Sequence, residues 1–267
     1  KHKEHITRYN DLIAQGTKVQ LKDTQISIPA GPRLGNQVID VENLTKAFGD
    51  KLLFDNLTFH IPAGAIVGIV GPNGAGKTTL FKLIADAAGQ TVERADGQPG
   101  GEKPDSGSIK VGSTVKLVYI DQLRSGLDEN KTVYETLSGG ADLIKLGAVD
   151  EKGRALEGGG REVNAHAYCG WFNFAGADQN KKVGVLSGGE KNRLNLGMML
   201  KEAGNVLMLD EPTNHLDFRT LTWLEDYLMS YKGAILTVSH DRYFLDKIVN
   251  IVCEVENKTL VRYNAGY

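Results

Sequence analysis

Two rhythms of apolar and polar positions divide this chain. Residues 38–44 and 57–61 alternate apolar with polar, as half-exposed antiparallel strands do. Between them, residues 45–50 read as a turn carrying one aromatic, Phe48. Residues 65–70, 205–209 and 234–238 are instead mainly apolar and do not alternate, the pattern of strands covered on both faces. Helical periods are expected over residues 79–85, 191–201, 221–230 and 242–247, and further strands over 108–111, 115–120, 248–254 and 259–263. Strands and helices that alternate in this way predict an α/β fold with a parallel sheet, preceded by an antiparallel β subdomain.

The remaining stretches lack that regularity. Residues 89–107, rich in Gly, Pro and charge, read as a long exposed loop. Residues 123–185 read as a separate, mostly helical subdomain, with helices near 132–137 and 165–174 and a flexible connection over 150–160. At the start, Ile6, Tyr9, Leu12 and Ile13 recur at helical spacing, as at the end of an amphipathic helix. Residues 16–37 carry Pro29, Gly31, Pro32 and Gly35 and read as an extended linker. The expected organisation is therefore a linker over 1–37 and one domain over 38–267.

Composition removes several classes of function. A net charge of −2 over 267 residues gives no bulk electrostatic case for nucleic-acid binding, so any RNA contact would need a local patch. The apolar runs fall far short of the roughly 20 residues that span a bilayer, and no signal peptide opens the chain. Cys169 and Cys253 fit no metal or disulfide spacing and are expected to pack as small apolar residues, in keeping with a cytoplasmic protein.

The chemistry centres on Gly71-Pro72-Asn73-Gly74-Ala75-Gly76-Lys77-Thr78, set between an apolar strand and a helix that begins at Thr79. Strand, glycine-rich loop and helix are the context that a phosphate-binding P-loop needs. The glycines let successive N–H groups point at phosphate oxygens, and the helix adds its positive end. Lys77 is placed to reach the β- and γ-phosphates, and the Thr78 hydroxyl to ligate Mg²⁺. Nucleoside triphosphate binding is the expectation.

Further stretches narrow the chemistry done on the bound nucleotide. The run Val206-Leu207-Met208-Leu209 ends in Asp210 and Glu211, carboxylates expected at the C-terminal edge of a parallel strand, beside the phosphates. Asp210 is the candidate for holding Mg²⁺, and Glu211 for polarising an attacking water. Ser187, Gly188, Gly189 and Glu190 precede a basic helix and form a second candidate phosphate site. Because one chain cannot close both sites on one γ-phosphate if they face apart, this pair implies a partner ATPase domain. A second Leu-Ser-Gly-Gly string at residues 137–140 has no basic helix after it and is set aside. His240 follows a strand and is placed to sense the γ-phosphate. Gln122, also after a strand, is the candidate to contact Mg²⁺ or water, and Phe48 to stack on the base.

Taken together these residues resemble the ATP-binding cassette (ABC) superfamily from about residue 38 to 263. Phe48, residues 71–78, Gln122, 186–190, 206–211, Leu216-Asp217 and His240 match its motifs in order. The resemblance implies a P-loop NTPase fold of ABC type, with a RecA-like parallel-sheet core, and an ATPase that uses ATP and Mg²⁺. Within the superfamily the chain resembles ABC-F, through Asp210-Glu211-Pro212-Thr213-Asn214-His215-Leu216-Asp217, Glu190 and Ser239-His240-Asp241-Arg242-Tyr243-Phe244-Leu245. Thr7-Arg8-Tyr9 and residues 29–35 resemble the entry to the second cassette in the energy-dependent translational throttle branch. That implies a second cassette and the ribosome with its rRNA and tRNA as partners, and no membrane. Two departures stand out: a single cassette is present, and residues from about 214 onward resemble first cassettes, with His215 where the throttle branch more often has Asp. A fragment or a hybrid of two cassettes is the expectation. The residues leave open a transporter ATPase subunit and a nucleotide-binding module inactive when isolated.

Overall fold

The computed structural model describes residues 32–90, 101–120, 127–147, 161–214 and 216–264. The helix expected near the start of the chain and the connection expected over 150–160 lie outside the described residues. The early alternating stretches form β1 (Ile39–Phe48) and β2 (Lys51–Ile61), antiparallel from Ile39 opposite Ile61 to Phe48 opposite Lys51. The turn expected over 45–50 is therefore mostly strand. Pairing with β2 continues through irregular register as far as Phe48, and only Gly49 and Asp50 turn the chain. Gly49 there has φ 55, a left-handed conformation that costs glycine little.

Then come β3 (Ile66–Val70) and α1 (Lys77–Ala87), and β4 (Ser106–Val111) pairs with the free edge of β1. The central sheet adds β5 (Leu117–Ile120), β8 (Val206–Asp210), β9 (Ala234–Val238), β10 (Ile251–Glu256) and β11 (Thr259–Asn264). Its order is β11-β10-β3-β9-β8-β5, parallel throughout except for the antiparallel edge strand β11.

Side-chain alternation divides this sheet between two cores. Val206 and Met208 of β8, with Ala234 and Leu236 of β9, face a cluster that holds Leu80, Phe81 and Ile84 of α1 and the inner face of β1 and β2. Leu207, Leu209 and Ile235 point the other way, into a cluster shared with α2 (Val133–Ser138), α3 (Ala165–Trp171), α4 (Gly188–Leu200), α5 (Phe218–Ser230) and α6 (Arg242–Ile248). Both faces are covered, which explains why these strands are mainly apolar without alternation.

Several boundaries differ from the sequence pattern. Within 127–185, an unexpected two-stranded antiparallel sheet, β6 (Leu143–Leu146) with β7 (Arg161–Asn164), lies between α2 and α3, and two 3₁₀ turns follow α3. Each strand has only four residues, too few for alternation to register. Residue 248 ends α6 rather than opening a strand. The described end of the 89–107 loop is fastened to β1: Glu102 is buried with its carboxylate 3.4 Å from Lys46 Nζ. The first described residues are also held down, since Asn205 Nδ2 donates to Pro32 O at 2.8 Å and Gly35 N to Thr114 Oγ1 at 2.9 Å.

Candidate functional site

Because β3, β9 and β8 are parallel neighbours, the segments after them open at one edge of the sheet. After β3 comes the glycine loop. Gly71, Gly74 and Gly76 have φ of 153, 79 and 100, conformations that an L side chain rarely adopts. Space reinforces conformation at Gly71, where a Cβ would lie 2.3 Å from the Val255 carbonyl oxygen. The turn closes with Ala75 N donating to Pro72 O, and α1 starts with Leu80 N donating to Gly76 O.

The beginning of α1 differs from the other α-helices among the described residues. Those five are N-capped by the side chains of Thr132, Asn164, Ser187, Asp217 and Asp241. At α1 the N-cap is Gly76, with no side-chain cap. Its leading N–H groups are left for an external acceptor, and the helix dipole favours an anion there. Lys77 Nζ lies back across the loop, donating to Gly71 O at 2.6 Å and Pro72 O at 3.0 Å. Burial lowers the Lys77 pKa, while the Glu211 and Asp210 carboxylates act against that shift.

After β8, Asp210 and Glu211 take separate positions. Thr78 Oγ1 donates to Asp210 Oδ2 at 3.3 Å, so the hydroxyl and carboxylate expected to hold Mg²⁺ already meet. No cluster of three or more His, Cys, Asp or Glu side chains suited to a metal occurs among the described residues. A Thr–Asp pair fits a hard cation that takes its other oxygens from phosphate and water. Glu211 has φ 48, uncommon for a non-glycine residue, and its N–H donates to Val238 O at 2.8 Å, pinning it against the end of β9. There His240 Nε2 stands 3.3 Å from Glu211 Oε1, and the His240 N–H donates to Glu211 Oε2 at 3.3 Å.

Lys77, Thr78, Asp210, Glu211 and His240 thus converge. Ser187, Gly188, Gly189 and Glu190 do not join them: among the described residues no hydrogen bond or ion pair links them to residues 71–79. They begin α4, three residues earlier than the apolar period suggested. A capping box fixes this start, with Glu190 N donating to Ser187 Oγ at 3.2 Å and Ser187 N to Glu190 Oε2 at 2.8 Å. Residues 137–140, by contrast, end α2, where Gly139 N turns back to Glu135 O. Those N–H groups are not free to meet an anion, so the two similar strings differ in the end of the helix they occupy.

Phe48 stands partly exposed at the tip of β1, with Lys46 Nζ 4.9 Å from its ring centroid. Gln122 lies outside the described residues. Cys169 and Cys253 are free and buried, and burial pushes both thiols up to about 11. Sequence reasoning missed the tie between α4 and the segment after Glu211: Asn192 Nδ2 donates to Asn214 O at 2.6 Å, and Arg193 pairs with Asp217 at 3.3 Å. The only trace in the sequence was the basic character of α4.

A family model described as "ABC transporter" matches residues 54–214. The energy-dependent translational throttle protein EttA of Escherichia coli (strain K12) is 44% identical over 266 residues, covering 100% of this chain and 43% of the relative. EttA of Mycobacterium tuberculosis (strain ATCC 25618 / H37Rv) is 46% identical over 248 residues, covering 92% of this chain and 40% of its own length. The chain thus spans less than half the length of these curated relatives. Among solved structures, an ATP-binding subunit of an ABC transporter superposes with a TM-score of 0.63 at 17% identity, covering 85% of this chain and 90% of that one. At that identity the likeness shows the fold alone.

Proposed function

The chain belongs to the ATP-binding cassette family, and from that premise we propose that it is one cassette of an ABC-F translation factor that binds and hydrolyses ATP with Mg²⁺. The observation that carries the reading is the convergence of Lys77, Thr78, Asp210, Glu211 and His240 at one sheet edge, beside a helix start left uncapped. Throttle proteins match essentially the whole chain, which supports the translational setting, with the ribosome, rRNA and tRNA as partners in the cytoplasm. No helix among the described residues is long and apolar enough to cross a membrane.

In this reading the amides of Gly74 and of residues 76–78 hold the phosphate chain, and Phe48 stacks on the base. Lys77 leaves its two carbonyl partners for the β- and γ-phosphate oxygens. Thr78 and Asp210 are the residues that would hold Mg²⁺, which would supply charge neutralisation to the phosphates. Glu211 accepts a hydrogen bond from the attacking water and orients it, with His240 keeping that carboxylate in place. Gln122 is assigned to the metal and water by resemblance. Ser187, Gly188, Gly189 and Glu190 serve the nucleotide of a second cassette, because they stand apart from this chain's own loop.

The test is ATP turnover per molecule against protein concentration, with light scattering alongside. Specific activity that rises with concentration, together with ATP-dependent dimers, is expected if two cassettes complete each other's sites. Full turnover by a monomer at high dilution would overturn the need for a second cassette.

A further inference from the structure

Against the phosphate loop lies a cavity of about 220 Å³, several of whose lining residues have no role assigned above. Its walls come from the start of β2, the loop from Pro72 to Ala75, and the turn between β10 and β11. Lys51 and Lys258 bring two cations to it and Glu256 one carboxylate. Lys258 has φ 66, unusual for a lysine, and its carbonyl accepts from Asp55 N at 2.9 Å, fastening this turn to β2.

Lys51 is the informative residue. It is the register partner of Phe48 across the Gly49-Asp50 turn, and directly opposed residues share a face of the sheet. Its ammonium extends to the loop, since a Cβ on Gly74 would lie 3.6 Å from Lys51 Nζ. No ion pair holds it among the described residues. Two ammonium groups therefore bracket the loop: Lys77 on the carbonyls of Gly71 and Pro72, and Lys51 at the shoulder formed by Gly74. A nucleotide reaching from Phe48 to the loop amides passes the second of these.

We infer that Lys51 is a nucleotide-positioning residue that reads the phosphate chain, favouring nucleoside di- and triphosphates over monophosphates. The inference rests on the nucleotide-binding reading above and adds a contact to it. A solvated cation several ångströms from a polyphosphate is worth about three- to tenfold in affinity, and salt weakens that contribution.

Calorimetric titration of the intact chain with ATP, ADP and AMP, in Mg²⁺ at low and high salt, tests this. Lys51→Ala is expected to weaken ATP and ADP about three- to tenfold, to leave AMP unchanged, and to flatten the salt dependence. Lys51→Arg should restore affinity, and because the side chain is exposed at a hairpin end, melting temperatures should match. Unchanged ATP affinity and salt dependence in Lys51→Ala, while Lys77→Ala loses binding, would overturn the role of Lys51 alone. So would an equal loss for AMP. Undiminished ATP binding in Lys77→Ala would instead overturn the nucleotide reading beneath it.

Discussion

Glu211 and His240 face each other across the ends of β8 and β9, with Nε2 3.3 Å from Oε1 and the His240 N–H donating to Oε2 at 3.3 Å. The carboxylate is largely enclosed and the imidazole is 60% exposed. A group held from two directions and close to the Thr78–Asp210 pair suits the orientation of a water better than the binding of a phosphate. Glu211→Gln is therefore expected to retain ATP affinity within about twofold and to lower turnover at least ~100-fold, because the amide is a far weaker acceptor for a water proton. Equilibrium binding and single-turnover hydrolysis measured on the same preparation check this. Retained turnover would remove Glu211 from the mechanism.

Lys77 should behave in the opposite way. Its ammonium is buried against two carbonyls and has no carboxylate within salt-bridge range among the described residues, so a polyphosphate would gain a desolvated cation. Lys77→Ala is expected to weaken ATP binding by about 1.5–3 kcal/mol, the size of a hydrogen bond to a charged group. Isothermal titration with ATP reads this directly, and an unchanged Kd would contradict the assigned loop chemistry.

Most of the candidate site was legible because its parts are tied to strand ends. An apolar run that stops at Asp210-Glu211, or at Ser239-His240, places those groups at one sheet edge whatever surrounds them. The loop at residues 71–78 could be read for the same reason, since its glycines are needed at φ values that other residues avoid. Relations between distant segments were not legible. Nothing in the spacing indicates that Arg193 meets Asp217, that Glu102 folds back on Lys46, or that Lys51 extends to Gly74. The four-residue strands β6 and β7 escaped notice because so short a run shows no period.

The start of α4 carries a pH signature. Glu190 has its pKa lowered, chiefly by the hydrogen bond from Ser187 N, with burial acting against the shift and Lys181 assisting it. A carboxylate whose folded pKa is depressed adds stability above its unfolded pKa, and that stability is lost as pH falls through the folded value. Glu190→Ala should therefore be less stable than the parent by ~1 kcal/mol at pH 7, the usual worth of a cap interaction. The gap should narrow as the pH is lowered through the carboxylate range. Urea unfolding of both proteins at several pH values checks the sign, and a gap that widened in acid would exclude the ionised capping box as its source.

Gly71 and Gly74 occupy the same loop but should respond differently to alanine. Both have φ values that strain an L residue, at 153 and 79. At Gly71 the added Cβ would come within 2.3 Å of the Val255 carbonyl oxygen, part of the β10 backbone, which cannot swing aside as a side chain can. At Gly74 the sole neighbour within 4 Å is the flexible Lys51 ammonium, 3.6 Å away. Gly71→Ala should then carry both conformational strain and a displacement of β10 from β3, about 3 kcal/mol or more, whereas Gly74→Ala should cost ~1 kcal/mol. Chemical denaturation without nucleotide isolates this difference from any effect on binding. Equal destabilisation by the two substitutions would mean that the loop is not packed against Val255 as described.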